Sequence, residues 1–422
     1  MDRLEHELRD VLAHERRALS SDLVSLEAVH AGATRRRRRR TAVVAAAGAV
    51  VLVAVAVPAS LVLLDGRGRS PGVTGTSPTP PQRSPQTKVT TPAPKSTTAK
   101  APLAGLAWAG ARVVSMSATS TRTILVLGVL GDSGACKPPN CLRLVQSHDA
   151  GQTFTPRPVP RDAVAGDTSN PSMHSVTNVR FGSATDGWLY GNGLWATHDG
   201  ARTWHRVTMP GAVSRLAAAN GVVWALVTTN GGNSQQLWRS TVGSDAWTQV
   251  PAVTVGGPGD VALLGSRVVV LGAGQSKVWV SKDGASFTSR TSPCSSAMGA
   301  ELSASTSLWA KCQTGTAAYV VTSADGLRWH QVNATQAGGS APNSLALGAR
   351  GRNDAFLALG ASLPLVDLYT NGSRQPVSKP PALGSSIDYL GFTSVDVGYA
   401  IDGTHLWRTA DGGNTWTRLR IG

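Results

Sequence analysis

Cleaving a glycosidic bond ordinarily takes two carboxylates, one acting as acid and the other as base or nucleophile. Residues 103–422 contain a single glutamate, Glu301, and a set of aspartates. Asp149, Asp199, Asp283, Asp325 and Asp411 belong to a recurring short phrase, and Asp186, Asp354, Asp396 and Asp402 sit in other hairpin turns. Of the others, Asp132, Asp162, Asp167, Asp260 and Asp388 are read as free to face a substrate. A nucleophile elbow, a P-loop and an HExxH zinc helix are all absent from the sequence. No catalytic residue, cofactor or metal site is expected on these grounds.

The recurring phrase sets the architecture. It reads SHDAGQTF at 147–154, THDGARTW at 197–204, SKDGASF at 281–287, SADGLRW at 323–329 and TADGGNTW at 409–416, with weaker copies STVGSDAW at 240–247 and TNGSRQ at 370–375. From one first residue to the next the steps are 50, 43, 41, 42, 47 and 39 residues. A spacing of about 40–45 residues with strand-like flanks is that of a β-propeller blade. An apolar run precedes each copy, and an aromatic residue followed by an extended stretch closes each strong one, which spells strand, turn, strand. The glycine suits a site of positive φ, and the aspartate and hydroxyl can accept bonds from turn amides. Phrases such as FGSATDGWLYG (181–191) and FTSVDVGYAIDG (392–403) supply two earlier strands per unit. Seven four-stranded blades over 103–422 are expected.

The phrase resembles the Asp-box, or BNR, repeat, close to Ser-x-Asp-x-Gly-x-Thr-Trp. Its relatives include sialidases, xyloglucan-cleaving hydrolases, sortilin-type receptors and the photosystem II assembly factor family, whose repeat the GW and GY phrases are most similar to. The resemblance implies that the box aspartates staple hairpins at the blade periphery, away from the active face. It also implies a sialidase set of an arginine triad, an Asp and a Tyr–Glu pair, but no Arg-Ile-Pro phrase precedes the first repeat, and the pair would rest on Glu301 alone, read here as a loop residue between Cys294 and Cys312. Most of the 12 tryptophans flank or complete the boxes, so they read as blade core rather than as a sugar platform. Such breadth means that the fold does not select a function.

Residues 41–64 are 24 uncharged, mostly apolar residues directly after Arg35–Arg40. They are long enough to span a bilayer, and the arginines orient the N-terminus inward. A single-pass plasma-membrane protein with residues 1–40 cytoplasmic and the propeller extracytoplasmic is expected; the competing reading is a signal peptide cleaved near Val57-Pro58-Ala59, for which a 40-residue n-region is long. Residues 1–30 carry an amphipathic stripe of Leu4, Leu8, Val11 and Leu12, continued by Leu19, Leu23 and Leu26. Residues 65–102 are rich in Pro, Thr and Ser and form a disordered linker. The Ala/Arg/Gly/Val-rich usage suggests a high-GC bacterium.

The four cysteines, Cys136, Cys141, Cys294 and Cys312, all fall in the exterior part, which favours disulfides. Of three possible pairings the two local ones are expected, and the spacing does not suit zinc knuckles. The net charge of +15 has no block within the propeller. Nucleic acid is not an expected partner, since no recognisable module for it is present. The longest insertions, 129–141 and 156–175, are expected to project as loops from one face of the first blade, where Asp132, Lys137, Arg157, Arg161, Asp162 and Asp167 are the candidate ligand contacts. Together these features point to a non-catalytic scaffold that binds an envelope protein or a cell-wall glycan. The alternatives are an envelope glycoside hydrolase using face aspartates and a transmembrane sensor with residues 1–30 as output.

Overall fold

The structure, a computed structural model, describes residues 105, 107–108, 110–131, 141–166, 174–229, 234–274, 277–294, 299–314, 317–335, 344–360, 365–370, 373–376 and 387–422. The expected cytoplasmic segment, membrane span and linker lie outside the described residues. Among the described residues no helix is long and apolar enough to cross a membrane.

Seven sheets follow one another along the described residues. The first sheet holds β1 (Arg112–Ala118), β2 (Ile124–Val129), β3 (Leu142–Ser147) and β4 (Thr155–Arg157). The second holds β5 (Val164–Ala165), β6 (Ser175–Phe181), β7 (Gly187–Gly191), β8 (Leu194–Thr197) and β9 (His205–Val207). The third holds β10 (Ala212–Ala219), β11 (Val222–Thr229), β12 (Ser234–Thr241) and β13 (Thr248–Gly256); the fourth, β14 (Gly259–Leu264), β15 (Arg267–Gly272), β16 (Lys277–Ser281) and β17 (Thr288–Thr291). The fifth holds β18 (Gly299–Ala304), β19 (Leu308–Thr314), β20 (Ala317–Ser323) and β21 (His330–Thr335); the sixth, β22 (Ser344–Ala349), β23 (Asp354–Gly360), β24 (Leu365–Thr370) and β25 (Ser373–Pro376). The last holds β26 (Tyr389–Phe392), β27 (Gly398–Ile401), β28 (Leu406–Thr409) and β29 (Thr417–Arg418). Within each sheet the strands lie side by side in chain order.

The expectation of seven four-stranded blades is corrected by this order. Six sheets have four strands, and the sheet of β5–β9 has five. The extra strand, β5, pairs in parallel with β6 through Val164↔Ser175 and Ala165↔Val176. Much of the expected 156–175 loop is therefore structure, and Val159 and Ala163 within it are 2% and 1% exposed in the apolar core beside β6.

Successive first strands touch one another from β1 through β6, β10, β14, β18 and β22 to β26, and β27 returns to β1. Apolar clusters lie between neighbouring sheets all the way round, from the one joining the first sheet to the second to the one joining the last to the first. This is a β-propeller. Second strands are covered on both faces, so they read as apolar runs rather than alternating patterns: β2, ILVLGV, is buried at every position. Trp188, Trp195 and Trp309 are fully buried, as the blade-core reading of the tryptophans expects.

The last sheet completes itself with β29, yet the segment before β1 is not idle. Trp108 is 6% exposed and packs at the seam with Leu419 and Ile421. The Arg143 Nε donates to the Ala107 carbonyl at 2.8 Å, holding the same segment. Cys294 and Cys312 are bonded, with Cα atoms 5.1 Å apart, tying the connection after β17 to β19 of the next sheet. Cys141 is also disulfide-bonded; Cys136 lies outside the described residues.

The recurrent phrase forms one turn with local variants. At 147 the Ser147 hydroxyl donates to Asp149 Oδ1 and accepts the Gly151 amide, while Asp149 accepts the Thr153 amide and hydroxyl. The same pattern recurs at Thr197/Asp199/Thr203 and Thr409/Asp411/Thr415. In these three copies two consecutive residues have positive φ: Ala150–Gly151, Gly200–Ala201 and Gly412–Gly413. The copies at 281 and 323 are one residue shorter and have one such residue each, Gly284 and Gly326. There Asp283 accepts the amides of Ala285 and Ser286, and Asp325 those of Leu327 and Arg328.

Candidate functional site

The first strands of the sheets are mostly small and apolar, with a few charges, two of which, Arg180 and Glu301, line a cavity between them. That cavity, of about 260 Å³, is lined by Arg180 of β6, Ala217 of β10, Val261 of β14, Glu301 of β18, Leu347 of β22 and Tyr389 of β26, among others. Glu301, expected in a loop between the disulfide cysteines, is instead on β18, opposite Lys311 of β19. The Lys311 Nζ donates to Glu301 Oε2 at 2.6 Å. The Lys311 side chain is 9% exposed, so the pair is strongly held on that side.

Asp260 stands at the buried wall of the same region. Its Oδ1 accepts the Val261 amide and its Oδ2 the Leu302 amide, both at 2.8 Å, so it joins the fourth sheet to the fifth. The Arg215 Nε lies 3.6 Å from Oδ1. Burial pushes the Asp260 carboxyl up, against the pull of Arg215 and the two amides. The Asp260 charge in turn raises the Arg215 guanidinium above its ordinary value. Burial likewise raises the phenols of Tyr389 and Tyr190. Arg180 lines the cavity without a hydrogen bond or ion pair among the described residues. Sequence reasoning missed Arg180, Arg215, Lys311 and Tyr389. Their signal was present: each sits in or beside a first strand, where an inward charge has no reason to be unless it faces the axis.

The loop candidates divide. Asp132, Lys137 and Asp167 lie outside the described residues. Arg157 ends β4 and its Nε donates to Gln146 Oε1 at 2.7 Å, within its own sheet. Arg161 is exposed in the turn that follows. Asp162 accepts the Trp195 indole N–H at 3.2 Å and lies 3.5 Å from His174 Nδ1, and Arg206 Nη1 approaches His174 Nε2 at 3.4 Å. Asp162 is thus gathered with His174, Trp195 and Arg206 on the five-stranded sheet, and not with Arg157.

The turn aspartates are electrostatically settled by their donors. For Asp149 the Thr153 hydroxyl, then the Thr153 amide and the Ser147 hydroxyl, hold the carboxyl well below the usual range. Burial works against Asp199, but the Thr203 hydroxyl and amide and the Thr197 hydroxyl lower it to about 2. These acids are permanently ionised acceptors at neutral pH, which suits stapling and not proton transfer.

No protein-family model matches the chain. No curated protein matches it either. Solved structures similar to it include YCF48 bound to a D1 peptide, at 18% identity over 71% of this chain and 94% of that one, TM-score 0.46. Virginiamycin B lyase from Staphylococcus aureus is 14% identical over 74% of this chain and 96% of that one, TM-score 0.46. The GH74 enzyme of Niastella koreensis is 12% identical over 73% of this chain and 65% of that one, TM-score 0.38.

Proposed function

We propose that the chain is a membrane-anchored, extracytoplasmic propeller of the Asp-box type that binds an envelope protein or a cell-wall glycan without acting on it. The observation that carries the non-catalytic part is the state of the acids at the cavity. Glu301 gives Oε2 to Lys311, each oxygen of Asp260 accepts a backbone amide, and Glu301 is the one carboxylate among the residues that line the cavity. Glycoside hydrolysis ordinarily needs two carboxylates facing the bond from opposite sides, and this cavity offers one. Binding asks for less. Arg180 and the Tyr389 side chain offer the cavity a cation and a phenol among small apolar walls, a setting for one acidic group of a partner. Anchoring by residues 41–64 and the spacer of 65–102 then present that face outside the membrane.

The test is in-cell cross-linking of the full chain tagged after Gly422, with Arg180→Glu as the comparison. A discrete partner captured by the unaltered chain and lost by Arg180→Glu, at equal thermal stability, supports the reading. Release of new reducing ends from wall polysaccharide by the purified chain, abolished by Glu301→Gln or Asp260→Asn, overturns it.

A further inference from the structure

The second and third sheets bring two histidines and an aspartate together at their outer turns. His198 follows β8, inside the turn at 197–204, and His205 opens β9, paired opposite Ala196. Asp245 comes from the neighbouring β12–β13 turn. Its carboxylate Oδ2 lies 3.3 Å from His198 Nε2 and in direct contact with His205 Nε2. The three ligand atoms lie within 4.8 Å of one another.

The surroundings place a second carboxylate behind one of the imidazoles. Asp186 Oδ1 lies 2.9 Å from His198 Nδ1. Asp186 is itself fixed, its Oδ2 accepting the hydroxyls of Ser183 and Thr185 at 2.6 and 2.8 Å. A neutral His198 that donates Nδ1–H to Asp186 turns the lone pair of Nε2 toward another acceptor, Asp245 Oδ2. Two acceptors facing each other repel, and either a second proton on the ring or a metal ion between the two atoms removes that repulsion. A carboxylate behind a ligating imidazole is the usual outer shell of a zinc site. The remaining oxygen, Asp245 Oδ1, is shielded from solvent and has no hydrogen-bond partner among the described residues. Four tetrahedral ligands at zinc distances stand roughly 3.3 Å apart; the His198–Asp245 separation is of that size, while His205 and Asp245, in direct contact, must part to admit an ion.

The aspartate sits in a variant of the recurrent turn. The copy of the turn at 240–247 has Val242 where the stapling aspartate would be. It closes instead through the Ser240 hydroxyl on the Ser244 carbonyl and the Ser244 amide on the Thr241 carbonyl. Asp245 lies three residues past the stapling position, and its carboxylate reaches His198 and His205 of the neighbouring sheet.

We propose that His198, His205 and Asp245 bind one zinc-class divalent ion, with Asp186 orienting His198. Two imidazoles and one carboxylate select a borderline transition metal over calcium or magnesium. The three ligands leave a fourth position for water or for a donor from a partner. Because the ligands come from two sheets, the ion clamps adjacent blades.

The full chain in detergent micelles, stripped with EDTA, is titrated with zinc chloride while its melting temperature is followed, and Co²⁺ absorption reports the ligand geometry. The seven other histidines, His6, His14, His30, His148, His174, His330 and His405, supply any nonspecific background. The unaltered chain binds one equivalent above that background, melts higher with zinc, and gives the visible bands of tetrahedral cobalt. His198→Ala/His205→Ala and Asp245→Asn lose the high-affinity equivalent and the thermal shift. Asp186→Asn weakens binding by about 10–100-fold, the effect of an outer-shell partner. Variants whose melting temperature in EDTA equals that of the unaltered chain are folded, so their zinc response is interpretable. Equal zinc binding by the chain and by folded His198→Ala/His205→Ala overturns the proposal, as does the absence of a saturable equivalent in the unaltered chain.

Discussion

Gly413 lies directly against the Phe356 ring of the preceding sheet, so that a Cβ on it would collide with the ring edge. The same relation recurs around the propeller. A Cβ on Gly284 would meet Trp224 at 2.7 Å, and one on Gly326 would meet Val269 at 2.8 Å. The stapled turn is therefore also the point at which one sheet docks on the one before. At the equivalent position of the second sheet stands Ala201, fully buried at φ 67°.

That contrast gives a paired prediction. Gly413→Ala adds a methyl at a positive φ of 95° and against an aromatic ring, and should cost about 2–3 kcal/mol by strain and overpacking. Ala201→Gly removes a left-handed strain of about 1 kcal/mol and a buried methyl of similar worth, and should change stability by less than about 1 kcal/mol. Denaturant unfolding of both variants checks this. Equal losses at the two sites would mean that the docking contact does not govern the turn.

The Lys311–Glu301 pair supports a second prediction. Glu301→Gln leaves a lysine that is 9% exposed without its carboxylate, and should destabilise by about 1–3 kcal/mol, the range for a charged hydrogen bond. Lys311→Met should cost less, because the orphaned glutamate is 32% exposed and keeps water. Chemical denaturation of the two variants and of the double variant yields the coupling. A coupling near zero would show that the pair contributes only its packing.

Much of this was legible in the sequence, and the failures have particular causes. The turn phrase marks the outer hairpin of each unit because its Asp, Gly and aromatic residue each serve a backbone need that no other type meets as well. The connection 156–175 read as a loop because Pro156, Pro158, Pro160 and Asp162 are poor strand formers, and a two-residue parallel strand leaves no periodic pattern. Glu301 read as a loop residue because its strand, GAELSA, is short and follows a cysteine-bearing connection. The 240–247 copy read as a degenerate turn, since the loss of its aspartate was visible and the contact of Asp245 with His198 and His205 across two sheets was not.

The turn aspartates make the propeller sensitive to acid. The Thr153 hydroxyl lowers Asp149, the Ala285 amide lowers Asp283 and the Thr415 hydroxyl lowers Asp411; burial opposes the shift at Asp325, where the Arg328 and Leu327 amides outweigh it. A carboxylate depressed on folding contributes stability that is present above its unfolded value, about 3.9, and is lost as pH falls toward the folded value. Asp260 is raised by burial and has the opposite sign, its contribution fading as pH rises through about 4 and above. Asp199 and Asp186 are also lowered. Among the described residues six depressed carboxylates stand against one raised, and they predict a melting temperature that is level near neutrality and drops from about pH 5 to pH 3. The double variant Asp149→Ala/Asp411→Ala should melt lower at pH 7, since two stapled turns lose acceptors, and its melting temperature should fall less between pH 5 and pH 3. Thermal unfolding across that range measures both slopes. An unchanged slope in the double variant would assign the acid sensitivity to other carboxylates and leave the turns as staples whose protonation does not matter.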